Sequence, residues 1–238
     1  MQRSEYEQFA KQANRIFLKG VEAVTPAKLI PGSLHLQGSH LRAGDKTYDL
    51  DNFKNIWVIG AGKASAAMGH YTEAILGDRI TGGFIVTRYG SYCNLRRITV
   101  AEAGHPDPDT NSFLASEKIR HIAEAAQESD LVICLWSGGG SALMADSHEP
   151  VTADEYITAN HLLVRCGATI REINTVRKHI SATKGGQLAQ LIWPATTINI
   201  LISDVPGNET GVIASGPTLP DDSDFNEALS VIRRYDLW

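Results

Sequence analysis

An unbroken apolar run, residues 131–136 (Leu-Val-Ile-Cys-Leu-Trp), leads directly into the glycine-rich loop Ser137–Ser141. A strand without polar positions has to be covered on both faces, which is typical of parallel sheets. Shorter apolar runs alternate with helical patterns along the chain, at residues 56–59, 84–87, 98–100 and 196–203. This alternation predicts an α/β fold with a Rossmann-like, open and mostly parallel sheet that carries helices on both faces.

The other segments carry helical patterns or turn signals. Residues 31–52 are polar and Gly-rich, and they predict a loop or a small hairpin. Thr110 is the expected N-cap of the helix after the third strand, and Thr152 with Glu155 predicts a capping box. The predicted helices cover residues 4–24, 64–76, 110–127, 152–166, 169–191 and 225–235.

Composition narrows the class of protein. The 238 residues carry a net charge of −5, which argues against a broad nucleic-acid interface, because such a face is basic. No apolar run approaches the ~20 residues of a membrane span, and the first residues lack the apolar core of a signal peptide. The three cysteines have no CxxC spacing, which is typical of a reducing compartment. We therefore expect a cytoplasmic protein with neither nucleic-acid nor membrane partners.

The loop Gly60-Ala61-Gly62-Lys63 joins the first apolar run to a helix. Free N–H groups and the helix dipole make such a junction a natural anion site, so both glycines are candidate phosphate-binding residues. Two known templates do not fit, because Trp57 stands where a P-loop needs Gly and Ser65 where the dinucleotide fingerprint needs Gly or Ala. Lys63 opposes the helix dipole, which favours an anionic partner. The alternative is a tight turn with a solvated lysine.

The loop Ser137-Gly138-Gly139-Gly140-Ser141 is the stronger candidate for anion binding. Consecutive glycines leave the backbone accessible, so their N–H groups can form an anion nest between the two hydroxyls. A hydrolase nucleophile elbow is excluded, because it needs Gly two residues after Ser141 and Leu143 stands there. A flexible linker is the alternative, although linkers rarely follow a buried strand directly.

Asp204 lies at the carboxyl end of the last apolar run, where open α/β sheets bind ligands. Its carboxylate could hold Mg²⁺ together with water and phosphate oxygens, or cap the Pro-Gly turn that follows. The stretch Ser215-Gly216-Pro217-Thr218 is a further candidate anion-binding turn. In the loop after the third strand, His105 contacts substrate or bonds nearby backbone.

Residues 161–190 carry a local excess of basic side chains in an acidic protein. Arg177 and Lys184 lie seven residues apart, on one face of the predicted helix if it is unbroken. Such a face attracts a carboxylate or a phosphate. The alternative is an ordinary solvated face.

Five motifs occur in a fixed order. They are Ile59–Ala64, Gly104-His105-Pro106, Ser137–Ser141, Val176–His179 with Lys184-Gly185-Gly186, and Ile202–Gly207 through Ile213–Thr218. In this order and spacing they resemble the N-terminal domain of glycerate 2-kinases of the MOFRL type. Members of that family are often labelled hydroxypyruvate reductases. The resemblance covers nearly the whole chain, so residues 1–238 are expected to form this one domain.

The resemblance implies phosphorylation of D-glycerate to 2-phosphoglycerate, with ATP as co-substrate and Mg²⁺ as cofactor. It implies a catalytic role for Lys63 and a cleft shared with a C-terminal MOFRL domain. These 238 residues do not contain that domain, so we expect an incomplete half of the enzyme. The family usually has Asp where this chain has Asn208, which removes a second carboxylate beside Asp204.

Phosphoryl transfer depends mainly on positioning and charge neutralisation. We expect Asp204 to hold Mg²⁺ or orient the attacking hydroxyl, Lys63 to neutralise the transferring phosphoryl group, and Arg177 or Lys184 to pair with the glycerate carboxylate. The glycine nest would hold either ATP or the glycerate side of the cleft. The rivals are an NAD(P)-dependent hydroxypyruvate reductase, which the glycine pair and Arg88 favour, and a ligand-binding fragment without turnover. Two such fragments could also pair as a homodimer through a face that the second domain would cover.

Overall fold

The computed structural model describes residues 3–238 and contains two β-sheets. The strands are β1 (Leu34–Gln37), β2 (His40–Ala43), β3 (Lys46–Asp49), β4 (Asn55–Ala61), β5 (Gly82–Arg88), β6 (Ile98–Ala103), β7 (Asp130–Ser137) and β8 (Thr196–Ile202). The larger sheet has five parallel strands in the order β6-β5-β4-β7-β8. The chain winds outward from β4 to β6 and then crosses back to β7, as the Rossmann-like prediction requires.

Helices cover both faces of this sheet. They are α1 (Arg3–Ala23), α2 (Pro26–Ser33), α3 (Ser65–Leu76), α4 (Thr110–Ala125), α5 (Gly140–Leu143), α6 (Ala153–Arg165), α7 (Ile170–Ile180), α8 (Gln187–Ile192) and α9 (Phe225–Arg234). The predicted α/β fold class is confirmed. Within residues 3–238, every helix is too short or too polar to span a bilayer.

Side chains of the parallel strands alternate between two apolar layers, because successive residues of a strand point to opposite faces. One layer joins Ile59, Val132 and Trp136 to α4, α5 and α8. The other joins Val58 and Leu135 to α2, α3 and the antiparallel sheet. Both apolar layers pack against β4 and β7. This packing fixes the positions of the two strands whose ends form the site.

The polar segment 31–52 is more ordered than predicted. It contains the end of α2 and a three-stranded antiparallel meander, β1-β2-β3. Buried Leu34 and Leu41 anchor the meander in the second apolar layer. The N-cap of α4 is also one residue earlier than predicted, since the Asp109 side chain accepts a hydrogen bond from the Ser112 N–H at 3.0 Å.

The helix predicted over residues 169–191 is two helices, α7 and α8, separated by residues 181–186. Gly185 and Gly186 have φ values of +60° and +82°, a left-handed conformation that favours glycine. Arg177 and Lys184 therefore do not share a helical face. A third apolar cluster joins α6, α7 and α9 through Leu163, Val176 and Val231.

Candidate active site

Four segments converge at the crevice between the carboxyl ends of β4 and β7. The winding direction of the sheet reverses between these strands, which is where open α/β sheets bind ligands. β4 leads into Lys63, β7 into Gly138 and β8 into Asp204, while the loop after β6 brings His105 to the same place. Three chemically active side chains thus surround one glycine loop.

Lys63 and Asp204 form the charged pair of the site. Lys63 Nζ lies 3.3 Å from Asp204 Oδ2, and the two side chains are 40% and 53% exposed. An exposed pair of this kind stabilises a fold little, and both charges remain accessible to a ligand. A Cβ added to Gly138 would lie 1.8 Å from the same carboxylate oxygen. Glycine at this position is therefore what gives Asp204 its place against the loop.

His105 lies beside the next glycine of the loop. A Cβ added to Gly139 would be 2.7 Å from His105 Nε2 and 3.3 Å from Lys63 Cγ. Partial burial lowers the pKa of His105, and the charges of Lys63 and Arg88 lower it further. The imidazole is therefore neutral at neutral pH. Its side chain also has a backbone hydrogen bond at His105 itself, so both roles predicted for His105 stay open.

The loop between β4 and α3 has its backbone donors already engaged. Gly62 N–H donates to Val86 O, Lys63 N–H to Gly138 O, Ala64 N–H to Ser137 Oγ and Ser65 N–H to Gly62 O, all at 2.9–3.1 Å. Gly60 lies inside β4, and its Cβ would be 2.6 Å from Leu135 O. The structure thus gives both glycines of this loop a packing role instead of the predicted phosphate contact.

The loop between β7 and α5 differs from the β4–α3 loop in the hydrogen bonding of its backbone donors. Within residues 3–238, the N–H groups of Gly138, Gly139, Gly140 and Ser141 donate to no protein acceptor. Gly139 has a φ of +86°, and a left-handed residue in such a loop turns neighbouring amides toward a common anion. The backbone of this loop therefore has four donors without a protein acceptor, two of them on the buried residues Gly138 and Gly140.

The two hydroxyls that flank the nest already have protein partners. Ser137 is buried, and its Oγ accepts the hydrogen bond from Ala64 N–H at 3.1 Å. Ser141 Oγ lies 2.7 Å from Ser215 Oγ, which lies 3.1 Å from Asn174 Oδ1 on α7. Ser137 therefore braces the two loops against each other, and Ser141 ties the nest to α7.

The stretch 215–218 packs behind the nest. Ser215 is fully buried, and Gly216 follows it with a φ of +58°. Thr218 Oγ1 accepts from Trp136 Nε1 at 2.9 Å and donates to Asn199 Oδ1 at 2.5 Å. These partners give the hydroxyls of Ser215 and Thr218 structural roles, and the anion-binding turn over residues 215–218 stays a prediction.

Lys184 is fully buried and not in the open crevice. Its Nζ donates to Met144 O at 2.8 Å and to Asp146 Oδ1 at 3.0 Å. Burial alone would lower the pKa of Lys184, but the interactions with Tyr156 and Asp146 outweigh it and the pKa is raised. The structure therefore assigns Lys184 to an internal ion pair that holds the segment after α5, and not to the predicted contact with the glycerate carboxylate.

Arg177 differs from Lys184 in its burial and in its partners. It is partly buried on α7, and its Nε donates to Asn160 Oδ1 at 2.5 Å. Its burial lowers the pKa of the guanidinium, and no carboxylate pairs with it within the part of the chain that the structure describes. A guanidinium that is partly desolvated and unpaired is suited to a ligand carboxylate or phosphate.

Asp204 is the candidate metal ligand of the site. The described residues contain no cluster of three or more His, Cys, Asp or Glu side chains that could enclose a metal ion. A single carboxylate fits Mg²⁺, which keeps several waters and is usually held by one or two carboxylates plus substrate phosphates. The glycine loop whose amides lack a protein acceptor among the described residues lies directly beside Asp204.

Several residues that support the site were not singled out from the sequence. Asp146 carries the partner charge of Lys184, and Asn160 holds Arg177. His161 Nε2 lies 3.2 Å from Asp107 Oδ1, and this contact ties α6 to the loop of His105. None of these positions forms a motif, because their partners lie far away along the chain.

Comparison with known proteins identifies the family of the chain. The family model described as a domain of unknown function, DUF4147, matches residues 12–238. The chain belongs to this family. The DUF4147 match and the relatives below also confirm the resemblance to MOFRL-type glycerate 2-kinases.

Relatives of this family member carry two names. Glycerate 2-kinase from Pyrococcus horikoshii is 38% identical over 94% of this chain, which covers 50% of that protein. A protein from Agrobacterium vitis, provisionally named a hydroxypyruvate reductase, is 46% identical over 75% of this chain and 41% of its own length. The crystal structure of Thermotoga maritima glycerate kinase superimposes with a TM-score of 0.84 at 34% identity, covering 98% of this chain and 53% of that one. The chain thus spans about half the length of the relatives it matches.

Proposed function

We propose that this chain supplies the N-terminal half of an ATP- and Mg²⁺-dependent glycerate 2-kinase, which transfers the γ-phosphoryl group to the 2-hydroxyl of D-glycerate. The observation that carries this proposal is the pairing of Lys63 and Asp204 beside four free amides. A cation, a carboxylate and a backbone nest are the recurring parts of phosphoryl-transfer sites. The second domain expected from the longer relatives would close the other side of the crevice.

The nest at Gly138–Ser141 would hold phosphate oxygens of ATP. Four consecutive free amides suit an anion with several acceptor oxygens. Asp204 alone would repel such a group, so its position beside the nest is understandable if its carboxylate would hold Mg²⁺. When bound, the metal would neutralise phosphate charge.

Arg177 is our candidate for the glycerate carboxylate. The guanidinium is partly buried and lacks an acidic partner among the described residues, whereas Lys178 pairs with Asp221 and Lys184 pairs with Asp146. Contacts link α7 to the nest through Asn174 and Ser215. Of the two predicted candidates, Arg177 is therefore the carboxylate-binding residue in the proposed site.

In the transfer step, the 2-hydroxyl oxygen of glycerate bonds to the γ-phosphorus while the bond between that phosphorus and the bridging oxygen of ADP breaks. Lys63 would neutralise charge on the phosphoryl group during this exchange. His105 is neutral and lies next to the nest, so it can accept the hydroxyl proton. The products are 2-phosphoglycerate, ADP and the released proton.

Hydride transfer from a nicotinamide cofactor to hydroxypyruvate is the rival function, because the Agrobacterium vitis relative carries a reductase name. The loop that would bind the dinucleotide is the β4–α3 loop, whose amides have protein acceptors. Ser65, at the third position of the fingerprint, is buried, and its Oγ donates to Leu135 O at 3.0 Å. These contacts disfavour pyrophosphate binding there, so phosphoryl transfer is preferred.

The test joins this chain to the second half of the Thermotoga maritima relative and measures glycerate-dependent ADP formation with Mg²⁺. We expect activity in the joined protein, and a loss in kcat of about tenfold to a thousandfold for Lys63→Ala. The matched control is Lys54→Ala, an exposed lysine at the opposite end of β4. Unchanged kcat in Lys63→Ala would remove Lys63 from the mechanism, and NAD(P)H oxidation with hydroxypyruvate in place of ADP formation would support the reductase.

A further inference from the structure

Tyr89 presents an aromatic ring that is exposed and yet held in place by hydrogen bonds. It directly follows β5 and is 55% exposed. Its hydroxyl donates to Asp109 Oδ2 at 2.7 Å and accepts from Asn111 Nδ2 at 2.9 Å. The hydrogen bond to Asp109 raises the pKa of Tyr89, so the phenol stays protonated and remains a donor. A ring anchored in this way has little freedom left to lose when a ligand stacks on it.

The backbone around Tyr89 is fixed as well. Glu102, on the edge strand β6, accepts hydrogen bonds from the N–H groups of Ser91 and Tyr92, both at 2.9 Å. Tyr92 is exposed to a similar degree, 58%, but its hydroxyl has no hydrogen-bond partner among the residues that the structure describes. Of these two exposed tyrosines, Tyr89 is therefore the one whose ring is pre-organised.

Tyr89 adjoins the crevice of the candidate active site. Its partner Asp109 closes the loop that carries His105, and a Cβ built on Gly104 would lie 3.2 Å from Asp109 Oδ2. At the other end of this contact, His105 lies against Gly139 of the nest. Only β4 separates β5 from β7, so the carboxyl ends of these two strands are two strand spacings apart, about 10 Å. Tyr89 therefore lies where the far end of an elongated ligand would be if its phosphates bind at the nest.

The opposite side of the nest has a different character. Asn174, which accepts a hydrogen bond from Ser215, lines a cavity of about 720 Å³ between α7 and α9. Two basic side chains of this cavity, Lys178 and Arg234, already pair with acids. None of the described residues that line it is aromatic. A flat aromatic group thus finds a stacking partner beside β5 and not beside α7.

We propose that Tyr89 is the stacking platform for the adenine base of ATP, while the phosphates occupy the nest at Gly138–Ser141. Nucleobases stack on aromatic side chains, and open α/β sheets bind nucleotides across the carboxyl ends of their strands. The assignment rests on the proposed kinase function. It adds the orientation of the nucleotide, with the base toward β5 and the glycerate toward α7.

Arg88 supports this orientation. It is the last residue of β5, and its Nε donates to Ser91 Oγ at 3.2 Å. Within the described part of the chain, no carboxylate pairs with it. Its charge lowers the pKa of His105, which places the guanidinium near the loop between Tyr89 and the nest. Arg88 is therefore available to the ribose hydroxyls of a nucleotide bound in this orientation.

NMR titrations of this chain separate the base from the phosphates. The dissociation constants of ADP and of inorganic pyrophosphate, each with Mg²⁺, are measured for the unmodified chain and for Tyr89→Ala. We expect Tyr89→Ala to weaken ADP binding about fivefold to a hundredfold and to leave pyrophosphate binding unchanged. Unchanged ADP affinity would overturn the role of Tyr89 and leave the nest intact. If the unmodified chain bound neither ligand, the nest and the proposed function would fail together with the role of Tyr89.

Two further variants separate stacking from a general effect on the loop. Tyr92→Ala removes the neighbouring exposed tyrosine and should bind ADP as the unmodified chain does. Tyr89→Phe keeps the ring without its hydrogen bonds and should recover most of the affinity that Tyr89→Ala loses. An equal loss in Tyr92→Ala, or no recovery in Tyr89→Phe, would contradict stacking on Tyr89. If Tyr89→Ala weakened the binding of NADPH and not that of ADP, the ring would belong to the rival reductase and the assignment to ATP would be wrong.

Discussion

The two glycine-rich loops beside β4 and β7 have similar sequences but different backbone chemistry. The amides after Gly60 donate to Val86, Gly138, Ser137 and Gly62, whereas the four amides of Gly138–Ser141 have no protein acceptor among the described residues. One loop even uses the other, because Lys63 N–H donates to Gly138 O. Glycine content therefore does not identify an anion site. The number of unsatisfied donors distinguishes the two loops, because a ligand can bind only amides that the fold leaves free.

The difference also divides the work of the site. We call the β4–α3 loop sealed, because its amides have protein acceptors, and the β7–α5 loop open, because its amides have none among the described residues. The sealed loop holds Lys63 at a fixed place. In the proposed site, the open loop offers donors to a ligand. The open loop is held from behind by Lys184, which bonds the carbonyl of Met144 and the carboxylate of Asp146 just after α5. Changes in the sealed loop and in this internal anchor should affect stability, and changes in the open loop should affect ligand binding.

The largest effect on stability is expected for Lys184→Met, which removes the anchor of the open loop. Breaking a buried ion pair costs about 3–5 kcal/mol, since the remaining charge is left without its partner. Urea unfolding would measure this loss. The control Lys118→Met changes an exposed lysine on α4 and should stay within about 0.5 kcal/mol. A loss below about 1 kcal/mol in Lys184→Met would contradict the anchoring role.

The pKa of Lys184 predicts that the protein loses stability at alkaline pH. Its pKa is raised in the folded protein, so the folded state holds the proton more tightly than the unfolded state does. The resulting stabilisation is fully present below the unfolded pKa of about 10.4 and is lost as pH rises through the folded value. Unfolding curves in this alkaline range should show the loss in the unmodified chain and not in Lys184→Met.

Gly62→Ala should destabilise the fold by at least about 2 kcal/mol. Gly62 has a φ of +143°, and its Cβ would lie 2.1 Å from Ser137 Oγ. The comparison variant Gly77→Ala also has a positive φ, +54°, but nothing lies within 4 Å of its Cβ. Thermal or urea unfolding should rank Gly62→Ala well below Gly77→Ala. Equal stabilities would show that the contact between the loops contributes little.

Gly138→Ala is the matched change in the open loop. The new Cβ would lie 1.8 Å from Asp204 Oδ2, and Asp204 is half-exposed, so the carboxylate can swing away with a stability loss smaller than that of Gly62→Ala. In the protein joined to a second domain, we expect kcat for glycerate phosphorylation to fall at least about tenfold. Full activity in this variant would mean that the position of Asp204 is not needed for the reaction.

Inorganic phosphate gives a direct and smaller signal that compares the two loops. In ¹H–¹⁵N spectra of the chain alone, phosphate should shift the amide signals of Gly138–Ser141, because these donors are free. The amides of Lys63 and Ala64 should shift less, because they already have acceptors. Larger shifts at Lys63 and Ala64 would reverse the comparison of the loops.

The smallest effect is the pH dependence contributed by His105. Its pKa is lowered in the folded protein, so the unfolded state binds the proton more readily, and stability rises with pH through this window. The contribution of His105 to stability is complete above its pKa in the unfolded chain, about 6.5. It declines as pH falls toward the lower pKa of His105 in the folded protein. Unfolding between pH 5 and 7.5 should show a shallower slope for His105→Gln than for the unmodified chain.

Much of the fold follows from local patterns. The apolar run 131–136 predicted a strand buried on both faces, and the capping box at Thr152 and Glu155 marked the start of α6. The meander in residues 34–49 was less visible, because its short strands become stable only when Leu34 and Leu41 pack against the sheet. The break between α7 and α8 was underestimated, because the loop is stabilised by contacts distant in sequence, such as Gly185 N–H to Ser215 O.

The sequence by itself determined the parallel α/β architecture and the strand ends at which Lys63, Gly138 and Asp204 lie, because burial periodicity and glycine positions are local properties of the chain. Only the tertiary structure decided which amides are free, that Lys184 is an internal ion pair, and that His105 lies beside the nest. Those properties depend on partners far away in the sequence. Hydrogen-bond satisfaction and desolvation are set by the environment that the complete fold creates around a residue.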